Sequence, residues 1–333
     1  MSSPSPAPTP AGSPEAAEPA ADLSRWVGRR QEVRDTISPV QVRQMAALLD
    51  DGARLADPAS APLPAGWHWL YFNPLEQQSR LDGDGHPPRG EFLPPVDLPR
   101  RMWAGSRLAW QRPFRVGIEV RKASTITAVE RKTGRTGEMV FVTVQHQYFD
   151  DDGLVLDEAH DIVYREAPTA SERAALAEVG RRIRAGEHGF EREASLVKAV
   201  RADPVQLFRY SAATFNGHRI HYDVDYCRDV EGYPGLVVHG PLIATLLLDW
   251  VERQLAPGWA PDLDIAQFSF RARSPTFDLA GFHLHAQLPC TAAPPESGLA
   301  GEAARTEQAL AVWATDNLGR VGVDGQLTLR RRA

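Results

Sequence analysis

The segment 209–240, RYSAATFNGHRIHYDVDYCRDVEGYPGLVVHG, holds the densest group of side chains able to do chemistry. Asn216, His218 and His221 are separated by steps of two and three residues, and Gly240 ends the segment. An imidazole exchanges a proton near neutral pH, whereas an amide binds water but cannot act as a base. The N–H groups at a helix start stabilise negative charge on a carbonyl oxygen. The segment therefore predicts proton transfer beside an oxyanion-binding helix terminus.

The run LIATLLLDWVERQLAPG, which follows Gly240 and Pro241, predicts the helix that positions this chemistry. Proline suits the first turn of a helix, where its missing N–H costs nothing, and Pro257 with Gly258 is expected to end the helix. The first turns are apolar on nearly every side, which is typical of a buried helix. Alternating apolar and polar residues then predict antiparallel strands at 265–272, 281–288 and 309–332, the last a hairpin that breaks at 317–319. A buried helix enclosed by antiparallel strands is the hot-dog arrangement.

The N-terminal half repeats part of this pattern. Residues 140–165 alternate on both sides of a break at 151–153, which predicts another hairpin. Ser38 before Pro39 is a favourable helix start. The halves are unequal, because the segment corresponding to the buried helix is short and charged, with Leu98–Leu108 as its candidate. Three aromatic residues are predicted to form strand core in this half: Trp67, Trp69 and Tyr71.

These elements predict an α+β fold, a double hot-dog in which two antiparallel sheets each wrap round a helix in one chain. Residues 1–26 are expected to be a disordered tail because they are rich in Pro, Ala and Ser. The polar, charge-rich run 171–187 predicts a linker helix. The predicted boundaries are a degenerate N-terminal hot-dog at 27–168, a linker at 169–202 and a catalytic hot-dog at 203–333.

The blocks TFNGHRIHYD and EGYPGLVVHGPL resemble the hydratase motif of the MaoC-like family of enoyl-thioester hydratases, usually written Gly-Asp-x-Asn-Pro-x-His. The segment PPVDLPRRMWAGSRLAWQRPFRVGIEV resembles the N-terminal dehydratase-like domain of the two-hot-dog members. Those members include mesaconyl-CoA and itaconyl-CoA hydratases and hydroxyacyl-thioester dehydratases. The resemblance covers about residues 27–333 and implies a hydro-lyase acting on acyl-CoA.

The resemblance also implies roles for individual residues. His221 falls on the catalytic histidine of the motif, and His218 falls on its asparagine. Asn216 falls where the family has its catalytic aspartate, so this chain departs from the pattern. We expect His221 to transfer the proton, Asn216 to position the water, and the Gly240 N–H to bind the thioester oxygen.

Several other residues are candidates for substrate binding: His239, Arg209, Arg219, Arg271 and Arg273. For the arginines, an ordinary surface position is the competing interpretation. The spacing of His218, His221, Asp223 and His239 matches no standard zinc pattern, so no metal is expected. No separate cofactor is expected either, because coenzyme A is part of the substrate.

Charge, cysteine content and hydrophobicity indicate which partners and which cellular compartment to expect. The net charge of −6 gives no general electrostatic basis for nucleic-acid binding. Cys227 and Cys290 cannot form a disulfide framework, which favours a reducing, cytoplasmic location. No apolar run approaches the roughly 20 residues that a membrane helix needs. The resemblance implies a homodimer or higher oligomer.

The resemblance favours mesaconyl-CoA or itaconyl-CoA as the substrate, because of its overall likeness to those hydratases. Three alternatives stay open: a 3-hydroxyacyl-thioester dehydratase acting on coenzyme A or acyl carrier protein, a thioesterase, and a non-catalytic acyl-CoA-binding paralogue. The absence of the motif aspartate keeps the last of these open, since fold alone does not fix function.

Overall fold

The computed structural model describes residues 22–134, 137–189, 192–260, 262–289 and 307–331. Within these ranges the chain forms one antiparallel sheet of ten strands. No helix in the same ranges is long and apolar enough to cross a membrane. Most of the predicted tail, residues 1–21, lies outside the described residues.

The first half supplies five strands and two short helices. The strands are β1 (Arg30–Thr36), β2 (Arg100–Trp110), β3 (Glu119–Gly134), β4 (Gly137–Asp150) and β5 (Gly153–Arg165), and the helices are α1 (Pro39–Leu48) and α2 (Gly52–Ala56). Ser38 caps α1 by accepting a hydrogen bond from the Val40 N–H at 3.2 Å, as the sequence predicts. Short 3-10 turns lie at Leu23–Trp26, Trp67–Leu70 and Gln78–Arg80.

The second half repeats this order after helix α3 (Ala170–Arg184). It contains β6 (Leu196–Val200), α4 (Pro204–Ala213), α5 (Gly240–Trp250), α6 (Ala256–Trp259), β7 (Leu263–Ala272), β8 (Phe282–Gln287), β9 (Glu307–Asp316) and β10 (Val321–Arg331). A 3-10 turn lies at Arg219–His221, and π turns lie at Tyr226–Val230 and Val251–Leu255. Both predicted hairpins, the linker helix and the helix that starts at Gly240 are confirmed.

The strand order is β1-β3-β4-β5-β2-β7-β10-β9-β8-β6, so each half has the same order read outward from the middle. The halves join where β2 pairs with β7, from Gly105 opposite Arg271 to Ala109 opposite Gln267. Each outer strand is followed by a helix with proline in its first turn, α1 in one half and α4 in the other. The fold is the predicted double hot-dog, with both halves on one continuous sheet.

The core of the second half forms around α5. Leu242, Leu247 and Leu248 are fully buried, and strands β9 and β10 contact this helix. Burying a leucine side chain contributes roughly 1.5–3 kcal/mol, so this helix is a main source of the half's stability. Because α5 is packed in the core, the backbone of its first residue, Gly240, is held in a fixed position.

The first half has a buried polar cluster around Glu158, on β5. Its carboxylate accepts hydrogen bonds from Trp69 Nε1 at 3.2 Å and Tyr148 OH at 3.1 Å, and lies 3.2 Å from His68 Nε2. Burial alone would raise the pKa of Glu158, but the hydrogen bond and charge of His68 lower it below its usual value. These bonds satisfy a carboxylate whose burial would otherwise be costly.

Two predictions for the first half are wrong. Most of the candidate helix Leu98–Leu108 lies instead in strand β2, because pairing with β5 on one side and β7 on the other outweighs a weak local helix tendency. The strand predicted at Trp67, Trp69 and Tyr71 is a 3-10 turn followed by extended chain. Trp67 and Tyr71 are nevertheless buried, so their assignment to the core is correct.

Three predicted boundaries also differ from the structure. Leu23 and Trp26, assigned to the tail, are buried against the first half. Strand β6, assigned to the linker, pairs with β8 and belongs to the second sheet half. The helical run that begins at Gly240 ends at Trp259, one residue beyond the predicted stop at Pro257 and Gly258. Pro257 is accommodated because it lies in the first turn of α6, where a missing N–H costs nothing.

The polar cluster of the first half predicts a pH dependence of stability. Burial lowers the pKa of His160 to about 4, against the opposing charge of Glu158; its ring packs at a tilt against Trp103. The unfolded chain, with a histidine pKa of about 6.5, therefore binds more protons below that pH than the folded chain. Stability is greatest above pH 6.5 and falls toward pH 4, by up to about 1.4 kcal/mol per pH unit for each such histidine.

Urea unfolding between pH 7.5 and 4.5 measures this slope directly. His160→Gln should reduce the slope by about one proton. His188→Gln, a substitution of an exposed histidine, is the matched control. Equal slopes for the wild type and the His160 variant would contradict the assignment.

Candidate active site

His221 is held in a buried 3-10 turn, Arg219–His221, on the segment after α4. Its Nδ1 lies 2.7 Å from the Val237 carbonyl oxygen, which can only accept, so Nδ1 carries the hydrogen. Nε2 is then the atom with a free lone pair. Burial lowers the pKa of His221 to about 4, so the ring is neutral at pH 7. A neutral imidazole with a fixed tautomer is suited to accept a proton.

His239 packs directly against His221. The two rings stack with centroids 3.6 Å apart and an interplanar angle of 17°. His239 Nε2 lies 2.8 Å from Ser211 Oγ, which fixes this ring from α4. Burial lowers the pKa of His239 well below its usual value, so two neutral rings can stack without charge repulsion. His239, a predicted substrate contact, therefore supports the His221 ring.

Asn216 occupies a tight turn after Phe215, whose φ of 50° places that residue in the left-handed region. The Asn216 Oδ1 accepts a hydrogen bond from the His218 N–H at 3.0 Å. The side-chain oxygen thus shapes the loop that carries the histidines. Among the described residues its Nδ2 has no hydrogen-bond partner, which leaves the amide N–H groups for a ligand or water.

Gly240 is the first residue of α5, and the side chain of the preceding His239 makes no capping hydrogen bond. A Cβ added at Gly240 would meet no atom within 4 Å, so open space lies beside this backbone. Pro241 has no N–H, which leaves the Gly240 N–H as the donor at the very start of the helix. A carbonyl oxygen placed there would also face the positive end of the helix dipole.

A loop of the first half completes the cluster of imidazoles. The Arg219 N–H donates to the Asp84 carbonyl oxygen at 2.9 Å. His86, two residues after Asp84, stacks at a tilt on His218 with centroids 4.2 Å apart. His218 in turn meets the His221 ring edge-on at 5.5 Å. The site is therefore built from both halves of the chain.

Sequence reasoning missed Asp84 and His86. The available signal was the run DGDGH at 82–86, which places an acid and a histidine two residues apart in a glycine-rich loop. The two loops approach so closely that a Cβ on Gly85 would lie 2.0 Å from the Gly217 carbonyl oxygen. Gly85 also has a φ of 89°, which favours glycine.

The cluster keeps its imidazoles neutral and its carboxylate ionised. Burial lowers the pKa of His218 well below its usual value, and the neighbouring His86 and His221 lower it further. Burial also lowers the pKa of His86, although its hydrogen bond to Asp84 opposes this. Burial would raise the pKa of Asp84, but its hydrogen bonds with the side chain and backbone of His86 bring it below its usual value.

Asp84, His86 and His218 are the group of described residues that could hold a metal ion, with ligand atoms within 4.8 Å of one another. This differs from the set considered in the sequence. Asp223 of that set instead accepts hydrogen bonds from Arg219, at 3.0 and 2.8 Å. The expectation that the enzyme needs no metal stays a prediction.

The structure does not gather the predicted arginines around His221. Arg219 pairs with Asp223 and lies over the Tyr226 ring at 4.2 Å. Arg209 is exposed on α4. Arg271 is exposed on β7, and Arg273, just beyond that strand, lies 3.6 Å from Asp324. Their predicted role in binding coenzyme A phosphates stays a prediction.

A cavity of about 280 Å³ opens where the two loops meet. It is bounded by residues of both halves: Gln78, Leu81, Asp82, Gly83, Gly85, Gly217, Arg219 and Tyr222. The loop contact thus forms one wall of an open space.

Residues 66–278 match the family described as hydroxyacyl-thioester dehydratase type 2. The chain belongs to this dehydratase family. Mesaconyl-C(4)-CoA hydratase of Chloroflexus aurantiacus is 42% identical to this member over 275 residues, which cover 80% of the chain and 89% of the relative. The mitochondrial hydroxyacyl-thioester dehydratase type 2 of Schizosaccharomyces pombe is 25% identical over 270 residues, 74% of this chain and 86% of the relative. This dehydratase-family member is an enzyme, a hydro-lyase.

Solved structures agree on the fold. A MaoC-like dehydratase superposes on this family member with a TM-score of 0.64 at 15% identity, covering 93% of this chain and 100% of that chain. A Mycobacterium tuberculosis protein with a double hot-dog fold gives a TM-score of 0.51 at 16% identity, covering 92% and 96%. At these identities the match shows the fold alone.

The loops that carry Gly85 and Gly217 are in close contact. We therefore predict that a methyl group added at Gly85 impairs the site. Gly85→Ala should lower hydratase turnover by roughly tenfold or more, because displacement of active-site groups by about 1 Å is costly. Gly83→Ala is the matched control in the same loop, since its Cβ would meet no atom within 4 Å. Turnover and the thermal midpoint should be measured for both variants. Equal turnover would show that the loop contact does not position the site.

Proposed function

We propose that the enzyme adds water across the α,β double bond of a short, unsaturated dicarboxylic acyl-CoA, with mesaconyl-CoA as the first candidate and itaconyl-CoA as the second. The observation that carries this proposal is the 42% identity to a mesaconyl-C(4)-CoA hydratase over most of both chains. The family match favours the reverse reaction on a 3-hydroxyacyl thioester as a second candidate.

In the proposed reaction His221 Nε2 removes a proton from water while the water oxygen bonds to Cβ. The electron pair of the double bond moves toward the thioester, and negative charge develops on its oxygen. The Gly240 N–H donates a hydrogen bond to that oxygen. His221 then returns the proton to Cα, which restores the thioester and the neutral ring. The neutral, buried state of His221 supports this role.

Arg101 supports a substrate with a second carboxylate. It lies on β2 opposite Tyr164, and its positive charge lowers the pKa values of His86 and His218, in both cases less than burial does. Within the described residues Arg101 forms no ion pair, whereas the adjacent Arg100 pairs with Glu231 at 2.8 Å. A guanidinium close enough to influence these imidazoles, and without an acidic partner among the described residues, can bind a free carboxylate.

Substrate comparison tests the role of Arg101. Arg101→Gln should raise KM for mesaconyl-CoA by about tenfold or more, since a lost charged hydrogen bond costs about 1.5–3 kcal/mol. KM for crotonyl-CoA, which has no second carboxylate, should change little. The same rise in KM for both substrates would contradict the assignment.

The reaction itself is tested with crotonyl-, mesaconyl- and itaconyl-CoA by following the enoyl-thioester absorbance. Its loss without free thiol supports hydration, whereas free thiol indicates a thioesterase and no change indicates an acyl-CoA-binding paralogue. His221→Ala should lower turnover by at least about a hundredfold, the usual contribution of an acid–base group. Asn216→Asp should keep activity, because its Oδ1 can still accept from the His218 N–H. Near-normal turnover of His221→Ala would exclude this mechanism.

We also propose a cytoplasmic location and a homodimer or higher oligomer. The buried free thiol of Cys227 is compatible with a reducing compartment. Cys290 lies outside the described residues. The outer strands β1 and β6 each pair on one side within the chain, which leaves sheet edges for pairing with another copy.

A further inference from the structure

The departure at Asn216 raises the question of where the site obtains a carboxylate. The motif that this chain resembles has aspartate at that position, and an amide can neither ionise nor act as a base. A carboxylate does reach the imidazole cluster, from the other half of the chain. It belongs to Asp84, whose backbone oxygen is bound by the Arg219 N–H.

Both oxygens of Asp84 are committed to His86. Oδ1 accepts a hydrogen bond from the His86 backbone N–H at 2.9 Å, and Oδ2 lies 2.9 Å from its Nδ1. An ionised carboxylate can only accept, so Nδ1 carries the hydrogen and Nε2 has the free lone pair. This is the arrangement in which a carboxylate fixes the tautomer of a histidine and raises its basicity.

Further contacts hold Asp84 and His86 against the loop that carries Asn216, His218 and His221. Arg219 donates from its backbone N–H to Asp84 and from its guanidinium to the Gly83 carbonyl oxygen, at 2.9 and 3.1 Å. The packing of Gly85 on Gly217 brings the backbones together. The His86 ring lies 4.2 Å from His218 and is 19% exposed, so it is accessible from the surface of the site.

We propose that His86 and Asp84 perform the function of the motif aspartate that Asn216 replaces, an inference that rests on the proposed hydration. His86 Nε2 accepts the second hydrogen of the water molecule whose first hydrogen passes to His221. The water oxygen bonds to Cβ, the first proton returns from His221 to Cα, and the second stays on the product hydroxyl. Asp84 is a positioning residue that acts through His86.

The test compares two charge-neutralising variants of one loop. Asp84→Asn should lower kcat about a hundredfold with little change in KM. The single amide oxygen can accept from the His86 backbone N–H, and the NH₂ group then donates to Nδ1, which gives His86 the wrong tautomer. Asp82→Asn is the matched control: it removes a charge from the same loop, and the Asp82 contact with His86 runs through the backbone at 2.8 Å. Unchanged kcat in Asp84→Asn, or an equal loss in Asp82→Asn, would overturn the proposal.

The decisive variant restores the aspartate of the motif. Asp84→Asn combined with Asn216→Asp should recover at least tenfold of the lost kcat, because a carboxylate returns to the site from the opposite loop. A merely structural role of Asp84 predicts no recovery, and that result would overturn the proposal. The Asp84→Asn variant and the double variant should both have thermal unfolding midpoints within a few degrees of the wild type.

Two controls separate the remaining possibilities. If the wild-type enzyme hydrates none of the three thioesters, the proposed function is wrong. If the wild type is active and the Asp84→Asn variant is equally active, only the inference about His86 and Asp84 is wrong.

The second control tests for a bound metal. Activity should survive chelator treatment and gain nothing from added Zn²⁺. Loss of activity with chelator and recovery with Zn²⁺ would mean that Asp84, His86 and His218 bind a metal, contrary to this inference.

Discussion

The candidate site depends on one backbone contact between the two halves of the chain. Gly85 and Gly217 approach so closely that neither position accommodates a side chain, and the Arg219 N–H binds the Asp84 carbonyl oxygen across the same junction. This contact brings His86 to His218 and thereby joins Asp84 to the loop that carries His221. The pairing of β2 with β7 provides the rigid base, because it makes both halves one continuous sheet.

Burial of the imidazoles determines the protonation state of the rings that meet at this contact between the two halves. Desolvation keeps His218, His221 and His239 neutral, and carbonyl or hydroxyl partners fix the rings of the last two. Neutral rings can pack together, and each keeps a lone pair or an N–H for a proton or a water molecule. The buried helix α5 holds its start beside them, and open space lies next to Gly240. A base and an oxyanion donor are thus available without large rearrangement.

Local patterns in the sequence predicted much of this arrangement. Alternation predicted the hairpins, and the apolar run after Gly240 predicted α5, because those signals are contained in single segments. The motif around His221 was predictable for the same reason. His86 was not, because its loop meets the loop of His218 and Arg219 only in the folded chain. The Gly83–Arg219 contact between these loops spans 136 residues and depends on the continuous sheet. Strand β2 was mispredicted because both of its partners are distant in sequence. Arg101, on that strand, was missed with it.

The most direct measurement is a crystal structure of the His221→Asn variant with intact mesaconyl-CoA bound. We expect the substrate Cβ within reach of a water molecule held between residue 221 and His86, and the thioester oxygen within about 3 Å of the Gly240 nitrogen. Such a structure would locate the chemistry at the junction of the two halves. An acyl group bound away from this junction, for example against the Glu158 cluster of the first half, would contradict a site built from both halves.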